Sequence, residues 1–389
     1  MYVDAGVVSS EKSLICLASP CTLGKTSAVE NIVQWPDFPE FAWGRPFSGP
    51  LGSRSHHPQR CMKYVFGPVN SRRLGRSLGI DLFSEKICNL NCIYCEVGTA
   101  PTFVGQRAFH TPPQAIIDEI NCFCADPGRL AGVDVCTVTA KGEPTLHRGL
   151  GLIIGHLQRM SGKPVAVLTN GTTLMQADVR RELSAADIVI PSLDSARVES
   201  FCQVDRPGAG IDLEEVIAGL GRFSREYRGK LWLEILLVQG YNDTSADLAA
   251  LVAVLGDMCL DRIQLNTVVR PPAEPFVRPV AQEKLMAIAE YLHQNLAVPV
   301  DLPFPSAEEV PRNQGPAVVK PNRPLDEMRQ EIVQMLQRRP CTAADIDRTF
   351  HLGGPDKVEQ LLEPLMNSGV LQRQEHGDSW YYQYPSAIP

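Results

Sequence analysis

Strand-like and helix-like segments alternate along most of this chain, and that alternation limits the folds it can adopt. The strand-like runs are nearly continuous in valine, isoleucine and leucine, which is typical of parallel strands buried on both faces. They lie at residues 80–83, 133–139, 164–170, 187–193, 231–238 and 262–269. Amphipathic helices are predicted between them, at about 113–124, 147–160, 174–184, 212–226, 245–258 and 280–295. Six βα units wound in one sense predict an α/β protein whose parallel sheet is open or curled into part of a barrel.

Two segments outside this pattern have a different composition. Residues 1–61 carry proline, glycine and serine without a sustained period, so they are predicted to be a poorly ordered N-terminal extension or an arm upstream of the true start. Their "SPCTLGKT" resembles a phosphate-binding loop, but Ser19 stands where the first glycine is required, which argues against a working nucleotide site. Residues 302–324 hold six prolines and are predicted to be a linker.

The C-terminal residues 325–385 are predicted to form a small domain of their own. Helices are expected at 325–338, 342–350 and 355–368, followed by a two-stranded wing about Gly377. This order of elements is typical of a winged-helix-like domain. Residues 325–389 carry six lysines and arginines against ten acidic residues. Because a DNA-reading helix is expected to be basic, this favours protein or substrate docking, or a structural cap, over DNA binding.

Charge and cysteine content narrow the class of protein further. The 389 residues carry a net charge of −7, which argues against a surface built for non-specific nucleic-acid binding. No apolar run approaches the roughly 18 residues that a membrane-spanning helix needs, so we expect a cytoplasmic protein without a membrane partner. In such a reducing compartment, the twelve cysteines are expected to be thiols or metal ligands rather than disulfides.

Three of these cysteines are clustered after the first predicted strand. Cys88, Cys92 and Cys95 are spaced C-x3-C-x2-C, and thiolates select zinc or iron–sulfur clusters. A closed zinc site needs four protein ligands. The fourth would have to come from Cys61, Cys122, Cys124 or a distant histidine. A [4Fe-4S] cluster held by three cysteines instead leaves one iron able to bind substrate, and Tyr94 is an aromatic residue that could pack on such a cofactor.

The pattern C-x3-C-x-aromatic-C after the first strand of a six-unit βα chain resembles the radical S-adenosylmethionine (SAM) superfamily. Ahead of it, "GPV-x-SRRLG-x-SLGID" within residues 64–81, together with the winged-helix-like tail, resembles an iron–sulfur oxidoreductase subgroup related to the wybutosine-synthesising tRNA enzymes. The resemblance covers about residues 64–300 and implies a partial (β/α)6 barrel of parallel strands over residues 62–301.

The same resemblance implies cofactors and partners. One [4Fe-4S] cluster on the three cysteines would bind S-adenosyl-L-methionine through its open iron. One electron would then cleave SAM to methionine and a 5′-deoxyadenosyl radical that abstracts hydrogen from substrate. The electron donor would be of the flavodoxin or ferredoxin type. The substrate is left open between a tRNA base, a peptide and a small metabolite.

Further site residues are implied at the other strand ends. Gly142 and Glu143 resemble the family's "GGE" segment, whose glutamate accepts from the SAM amino group, although Lys141 stands where many members have a small residue. Thr169 and Asn170 are expected at the site rim. The remaining candidates are Ser192 and Asp194 for the ribose or the methionine carboxylate, and Asn266 for adenine.

Several charged residues carry open alternatives. Arg72, Arg73 and Arg76 could bind an anionic substrate or form surface ion pairs. Glu234 lies mid-strand in an apolar run, so its carboxylate is predicted to face the barrel interior or to pair with an arginine. The rival function is a zinc- or cluster-containing regulator that binds DNA through the C-terminal domain.

Overall fold

The computed structural model describes residues 62–71, 73–99, 103–303 and 325–385, with the side chains of 325–327 excepted. The predicted N-terminal extension at 1–61 lies outside the described residues, as does nearly all of the predicted linker at 302–324.

Eight strands form one sheet in the order in which they occur along the chain. Strand β1 (Val65–Ser71) pairs antiparallel with β2 (Gly75–Asp81), and every later neighbour pairs in parallel. The later strands are β3 (Val135–Thr139), β4 (Val165–Thr169), β5 (Ile188–Pro191), β6 (Lys230–Leu237), β7 (Arg262–Thr267) and β8 (Val300–Asp301). Sequential parallel order means that each crossover continues in the same direction around the sheet. The predicted α/β partial barrel is therefore confirmed.

Helices cover the outer face of the sheet and supply half of the core. They are α1 (Pro113–Cys124), α2 (Pro127–Ala131), α3 (Leu150–Ser161), α4 (Ala177–Leu183), α5 (Val198–Val204), α6 (Leu213–Glu226), α7 (Ser245–Leu255) and α8 (Gln282–Leu296). Ile116 and Ile120 of α1 are buried with Ile153 of α3 in the main core cluster, because they recur on one face at helical spacing. Within the described ranges, no helix is both long and apolar enough to cross a bilayer.

The first strand pair differs from the expectation. The segment predicted as a strand at 80–83 overlaps the end of β2, and β1 was not predicted because Gly67, Pro68 and Asn70 interrupt its hydrophobic pattern. Phe66 of β1 lies opposite Gly79 of β2, and a Cβ atom at Gly79 would come within 2.1 Å of the Phe66 ring. A glycine is therefore required there so that the aromatic ring can lie flat on the neighbouring strand.

Residues 325–385, called the C-terminal module below, form three helices and a second sheet. The elements are α9 (Leu325–Leu336), β9 (Cys341–Thr342), α10 (Ala343–Phe350), α11 (Pro355–Asn367), β10 (Gln372–His376) and β11 (Ser379–Gln383). The strands pair in the order β10, β11, β9. Ile332, Ile346, Val358 and Leu362 are buried together as the centre of a separate core. The helices and hairpin lie where the sequence predicts them, while the assignment to the winged-helix class stays a prediction.

The C-terminal module packs along β1. Val69 of β1 is buried in the core of the module. The Arg338 guanidinium donates to the Lys63 carbonyl at 2.6 Å, and the Asn70 side-chain amide donates to the Arg348 carbonyl at 2.8 Å. The Tyr381 hydroxyl donates to the carbonyl of Val269, just after β7, at 2.5 Å. The module therefore contacts both the first strand and the end of the seventh.

Candidate functional site

The loop that carries the three cysteines follows β2 and is fixed by backbone hydrogen bonds. Ile87 donates to the Lys141 carbonyl at 2.8 Å, and Glu143 donates to the Ile87 carbonyl at 2.9 Å. Further along, Ile93 donates to the Val204 carbonyl at 2.9 Å. The loop is thus held against the end of β3 on one side and the end of α5 on the other.

Gly142 is required by this arrangement. Its φ of +130° lies in a region that residues with side chains rarely adopt. A Cβ atom at this position would lie 1.8 Å from the Ile87 carbonyl oxygen. The glycine of the "GEP" segment therefore lets the cysteine loop pair directly with the end of β3, and Lys141 does not disturb that backbone.

The three thiols and most of the predicted site residues line one cavity of about 220 Å³ at the carboxyl ends of the parallel strands. We call it the cysteine cavity. Its lining includes Cys88, Cys92, Cys95, Tyr94, Gly142, Glu143, Thr169, Asn170, Ser192 and Asp194. Asn266 is not part of this lining: it lies half-buried on β7, and the structure does not bring it to the cavity. The clustering follows from topology, since parallel strands place their carboxyl ends at one edge.

Each thiol has a polar neighbour. The Lys86 ammonium donates to Cys95 Sγ at 3.1 Å, and the backbone amide of Leu90 donates to Cys88 Sγ at 3.5 Å. Cys92 Sγ donates to Asp205 Oδ1 at 3.6 Å. Burial raises the pKa of Cys88 to about 11 and raises the pKa of Cys92 well above its ordinary value. Without a bound metal both sulfurs are therefore thiols at neutral pH, and metal binding would release their protons.

This donor set fits an iron–sulfur cluster. Three soft sulfur ligands line one cavity, and the described residues contain no group of three or more His, Cys, Asp or Glu side chains placed to hold a single metal ion. Among the described residues the lining holds no fourth cysteine and no histidine, so it suits a cluster with an open iron better than a closed zinc site with four such ligands. Cys88, Cys92 and Cys95 are the residues that could hold it.

Glu143 is the centre of a hydrogen-bond network behind the cavity. The side chain is almost fully buried, and burial raises its pKa despite four donors. Glu143 Oε1 accepts from the amide of Thr145 at 2.9 Å and from the hydroxyl of Thr169 at 2.7 Å, as well as from the Thr145 hydroxyl. Glu143 Oε2 accepts one hydrogen bond from the described residues, from the backbone amide of Asn170 at 2.5 Å. The Asn170 side chain in turn donates to Asn89 Oδ1 at 2.9 Å.

A second buried acidic group lies across the cavity. Asp194 accepts hydrogen bonds from the Tyr94 hydroxyl and, at 2.7 Å, from the Leu236 amide. Burial raises the pKa of Asp194 to about 6, and burial together with the neighbouring Asp194 raises the pKa of Asp205 further. Tyr94 therefore interacts with a carboxylate through its hydroxyl, a contact that the sequence pattern did not indicate.

Other predicted residues have clear partners. Glu234 pairs with Arg73 at 2.5 Å and also lines the cysteine cavity, so both features predicted for its carboxylate are confirmed. Arg76 forms an exposed ion pair with Asp134 at 2.8 Å, and Arg72 lies outside the described residues.

Sequence reasoning missed Lys86 and Asp205. Neither belongs to the cysteine spacing, and Asp205 contacts Cys92 only because of the fold.

Comparisons with known proteins identify the family of this chain. The model of the radical SAM superfamily matches residues 86–252. A UPF0026 protein of Helicobacter pylori is 32% identical over 323 residues, which cover 82% of this chain and 96% of that protein. A protein of Brachyspira hyodysenteriae described as GTPase Obg is 30% identical over 312 residues, and the chain spans only 44% of its length.

Among solved structures, TYW1 with a lysine-pyruvate adduct bound is similar with a TM-score of 0.43 and 18% identity, over 57% of this chain and 74% of that one. The match to the Helicobacter pylori protein covers most of both chains and therefore establishes the family. The chain belongs to the UPF0026 family and carries a radical SAM domain.

Proposed function

We propose that this chain is an enzyme that binds a [4Fe-4S] cluster through Cys88, Cys92 and Cys95 and cleaves SAM reductively. When bound, the reduced cluster supplies the electron that breaks a carbon–sulfur bond of SAM, and this is the source of the radical that abstracts hydrogen from substrate. The observation that carries the proposal is the shared cavity. Three thiols and Glu143 line one space at the carboxyl ends of the strands, within a radical SAM domain.

The protein's own residues would bind and orient SAM. In the part of the chain that the structure describes, Glu143 Oε2 accepts only the Asn170 amide, which leaves a lone pair for the ammonium group of SAM. The four donors fix the Glu143 carboxylate in place, so little ordering is needed when the ligand binds. Ser192 and Asp194 would contact the ribose or the methionine carboxylate from the next strand end.

Lys86 has a role that the family pattern does not assign. Its ammonium lies 3.1 Å from Cys95 Sγ and also donates to the Gly98 carbonyl. A hydrogen-bond donor beside a sulfur ligand orients that ligand for metal binding. Lys86 would therefore help the loop bind metal while also holding its far end closed.

The finer parts of the proposal follow the resemblance. The electron donor would be a flavodoxin or ferredoxin, and the substrate would be a tRNA base, a peptide or a small metabolite. The C-terminal module would be a winged-helix-like domain that acts on the substrate side rather than on DNA, because residues 325–389 carry ten acidic against six basic residues.

Anaerobic purification tests the proposal. The full chain should bind about four iron and four sulfide atoms and should release 5′-deoxyadenosine when mixed with SAM and dithionite. Cys92→Ala should abolish both properties, whereas Cys122→Ala, which changes an exposed cysteine of α1, should preserve both. Zinc in place of iron, or SAM cleavage by Cys92→Ala, would contradict it.

A further inference from the structure

A second cavity, of about 470 Å³, lies between the barrel interior and the C-terminal module. Its lining includes Ser77 and Thr137 from the sheet, and Arg339, Thr342 and Arg348 from the C-terminal module. We call it the basic chamber. Both sides belong to one compact unit of the chain, Gln59–Pro389. The chamber therefore has walls from the catalytic barrel and from the module that covers it.

The basic chamber is continuous with the cysteine cavity. Five residues line both spaces: Val97, Thr139, Ala140, Leu168 and Ile190. They come from the cysteine loop and from the ends of β3, β4 and β5. A molecule held in the chamber would thus lie beside the space in which the thiols and Glu143 meet.

The lining of the chamber has an excess of positive charge. Six basic residues line it: Arg73, Lys141, Arg270, Arg338, Arg339 and Arg348. The acidic residues of the same lining are Asp81, Glu96 and Asp345. Including Glu234, which pairs with Arg73 from the neighbouring cavity, the balance is six basic to four acidic residues.

Four of the basic side chains are balanced by an acid. The pairs are Arg73 with Glu234 at 2.5 Å, Arg270 with Glu96 at 2.8 Å, Arg338 with Asp81 at 3.5 Å and Arg348 with Asp345 at 3.4 Å. Lys141 donates only a long bond, of 3.5 Å, to the Ser84 carbonyl. Arg339 has no side-chain hydrogen bond or ion pair with any described residue, so these two cations are the unbalanced ones.

A third donor is available in the same lining. The Nε atom of Arg270 is buried without a hydrogen-bond partner in the described part of the chain. A buried donor left unpaired is costly, so its pairing by a ligand would be favourable. Arg270 and Arg339 reach the chamber from the barrel and from the C-terminal module respectively.

We infer that the basic chamber binds a small anionic molecule whose phosphate or carboxylate group is recognised by Lys141 and Arg339. The inference rests on the proposed function, since it makes this molecule the substrate. Guanidinium and ammonium groups recognise phosphate and carboxylate through charge-assisted hydrogen bonds. A volume of about 470 Å³ lies within the range of roughly 300–1,000 Å³ that is usual for small-ligand sites.

Direct binding of simple anions to the full chain, purified anaerobically with its metal, tests the inference. Pyrophosphate and citrate serve as the phosphate and carboxylate probes, titrated by calorimetry at constant ionic strength. At least one probe should bind saturably, and the better probe identifies the anionic group. Lys141→Met and Arg339→Gln should each weaken binding about ten-fold, which is the loss expected for one charge-assisted hydrogen bond.

Arg76→Gln is the matched control, because it removes an arginine paired with Asp134 at the surface. It should leave probe binding unchanged. The inference is overturned if neither probe saturates, if Arg339→Gln binds as the wild type does, or if bulk tRNA displaces both probes more effectively than either displaces the other. Arg339→Gln leaves no carboxylate unpaired, so normal folding is expected even if Lys141→Met is poorly stable.

A second measurement distinguishes a failure of this inference from a failure of the proposed function. Release of 5′-deoxyadenosine without added substrate is measured on the same preparations. Binding that depends on Arg339 in a protein that does not cleave SAM would support the chamber and contradict the enzyme. Cleavage without anion binding would support the enzyme and contradict the chamber.

Discussion

The Arg270 guanidinium donates to the Glu96 carboxylate at 2.8 Å, and Glu96 directly follows Cys95. This contact ties the end of the cysteine loop to the segment after β7. The Val269 carbonyl in that same segment accepts the hydroxyl of Tyr381. The cysteine loop and the C-terminal module are thus connected through two consecutive residues of the barrel.

Loss of the Arg270 guanidinium should loosen the cysteine loop. Arg270→Gln removes the guanidinium that pairs with the partly buried Glu96, and we expect a loss of about 1–2 kcal/mol in the free energy of unfolding. The iron content after gel filtration should fall. Arg76→Gln breaks an exposed pair and should change the stability by less than about 0.5 kcal/mol. Equal iron content in the two variants would show that the contact does not support the loop.

Gly142 gives a steric test of how the loop is held. Gly142→Ala places a Cβ atom 1.8 Å from the Ile87 carbonyl oxygen, so the loop must move away from β3. We expect this variant to lose iron and SAM cleavage together. Gly240→Ala is the control, since Gly240 has a φ of +79° but open space around its Cβ position. It should cost only the backbone strain, about 1–2 kcal/mol, and should keep its iron.

Asp194 should make the stability of the metal-free protein depend on pH. Because the folded pKa is raised from 3.8 to about 6, the folded state holds the proton more tightly than the unfolded state does. This contribution of Asp194 to the free energy of unfolding, on the order of 3 kcal/mol, is fully present below about pH 4 and is lost as the pH rises through about 6. Urea unfolding of the wild type and of Asp194→Asn at pH 5 and pH 8 measures this loss of stability. Asp194→Asn should reduce this loss without removing it, because burial also raises the pKa values of Asp205 and Glu143.

At the protein surface, Asp134 should make stability depend on pH in the opposite direction. Hydrogen bonding to Arg76 lowers the pKa of Asp134, so its contribution to stability is present above its unfolded pKa and is lost in acid. Asp134→Asn should therefore leave the loss between pH 5 and pH 8 in place. If Asp194→Asn retained the whole of that loss, Asp194 would not contribute to it, and the other buried carboxyl groups would account for it.

Tyr381 should control the attachment of the C-terminal module. Tyr381→Phe removes the hydroxyl that donates to the Val269 carbonyl at 2.5 Å, at a cost of about 1 kcal/mol. Hydrogen exchange should become faster in β9 and β11, while exchange in β3 and β4 stays unchanged. Tyr384→Phe changes an exposed tyrosine of the same segment and should leave exchange as in the wild type. Uniformly faster exchange would indicate a general loss of stability instead.

The sequence predicts the parts of this fold that repeat and misses the parts that depend on distant contacts. Helix α1 lies at Pro113–Cys124, as predicted, because a continuous apolar face and a preceding proline mark it. Glu234 could be recognised as unusual since an isolated carboxylate in an apolar strand needs a partner. Arg73 lies 161 residues away in sequence, so only the closure of the sheet brings the two together.

The residues of the candidate site were likewise predicted only in part. The cysteine spacing and the strand ends indicate the cavity, because parallel topology brings those ends to one edge. Asp205 and Lys86 carry no pattern of their own, and Asn266 was predicted from its strand although its neighbours place it outside the cavity. The basic chamber could not be predicted, since its charge balance depends on how residues 328–385 pack against β1.

The antiparallel strand β1 lies at the end of the eight-stranded sheet, and Val69 is buried under the C-terminal module. An end strand whose backbone groups are unpaired is a template for unwanted association with other chains. Because the module packs against this strand, we expect it to limit association of the barrel with other chains, as well as to line a chamber. Proteolytic removal of residues 325–385 should therefore yield a barrel that aggregates rather than one that is merely open to larger substrates.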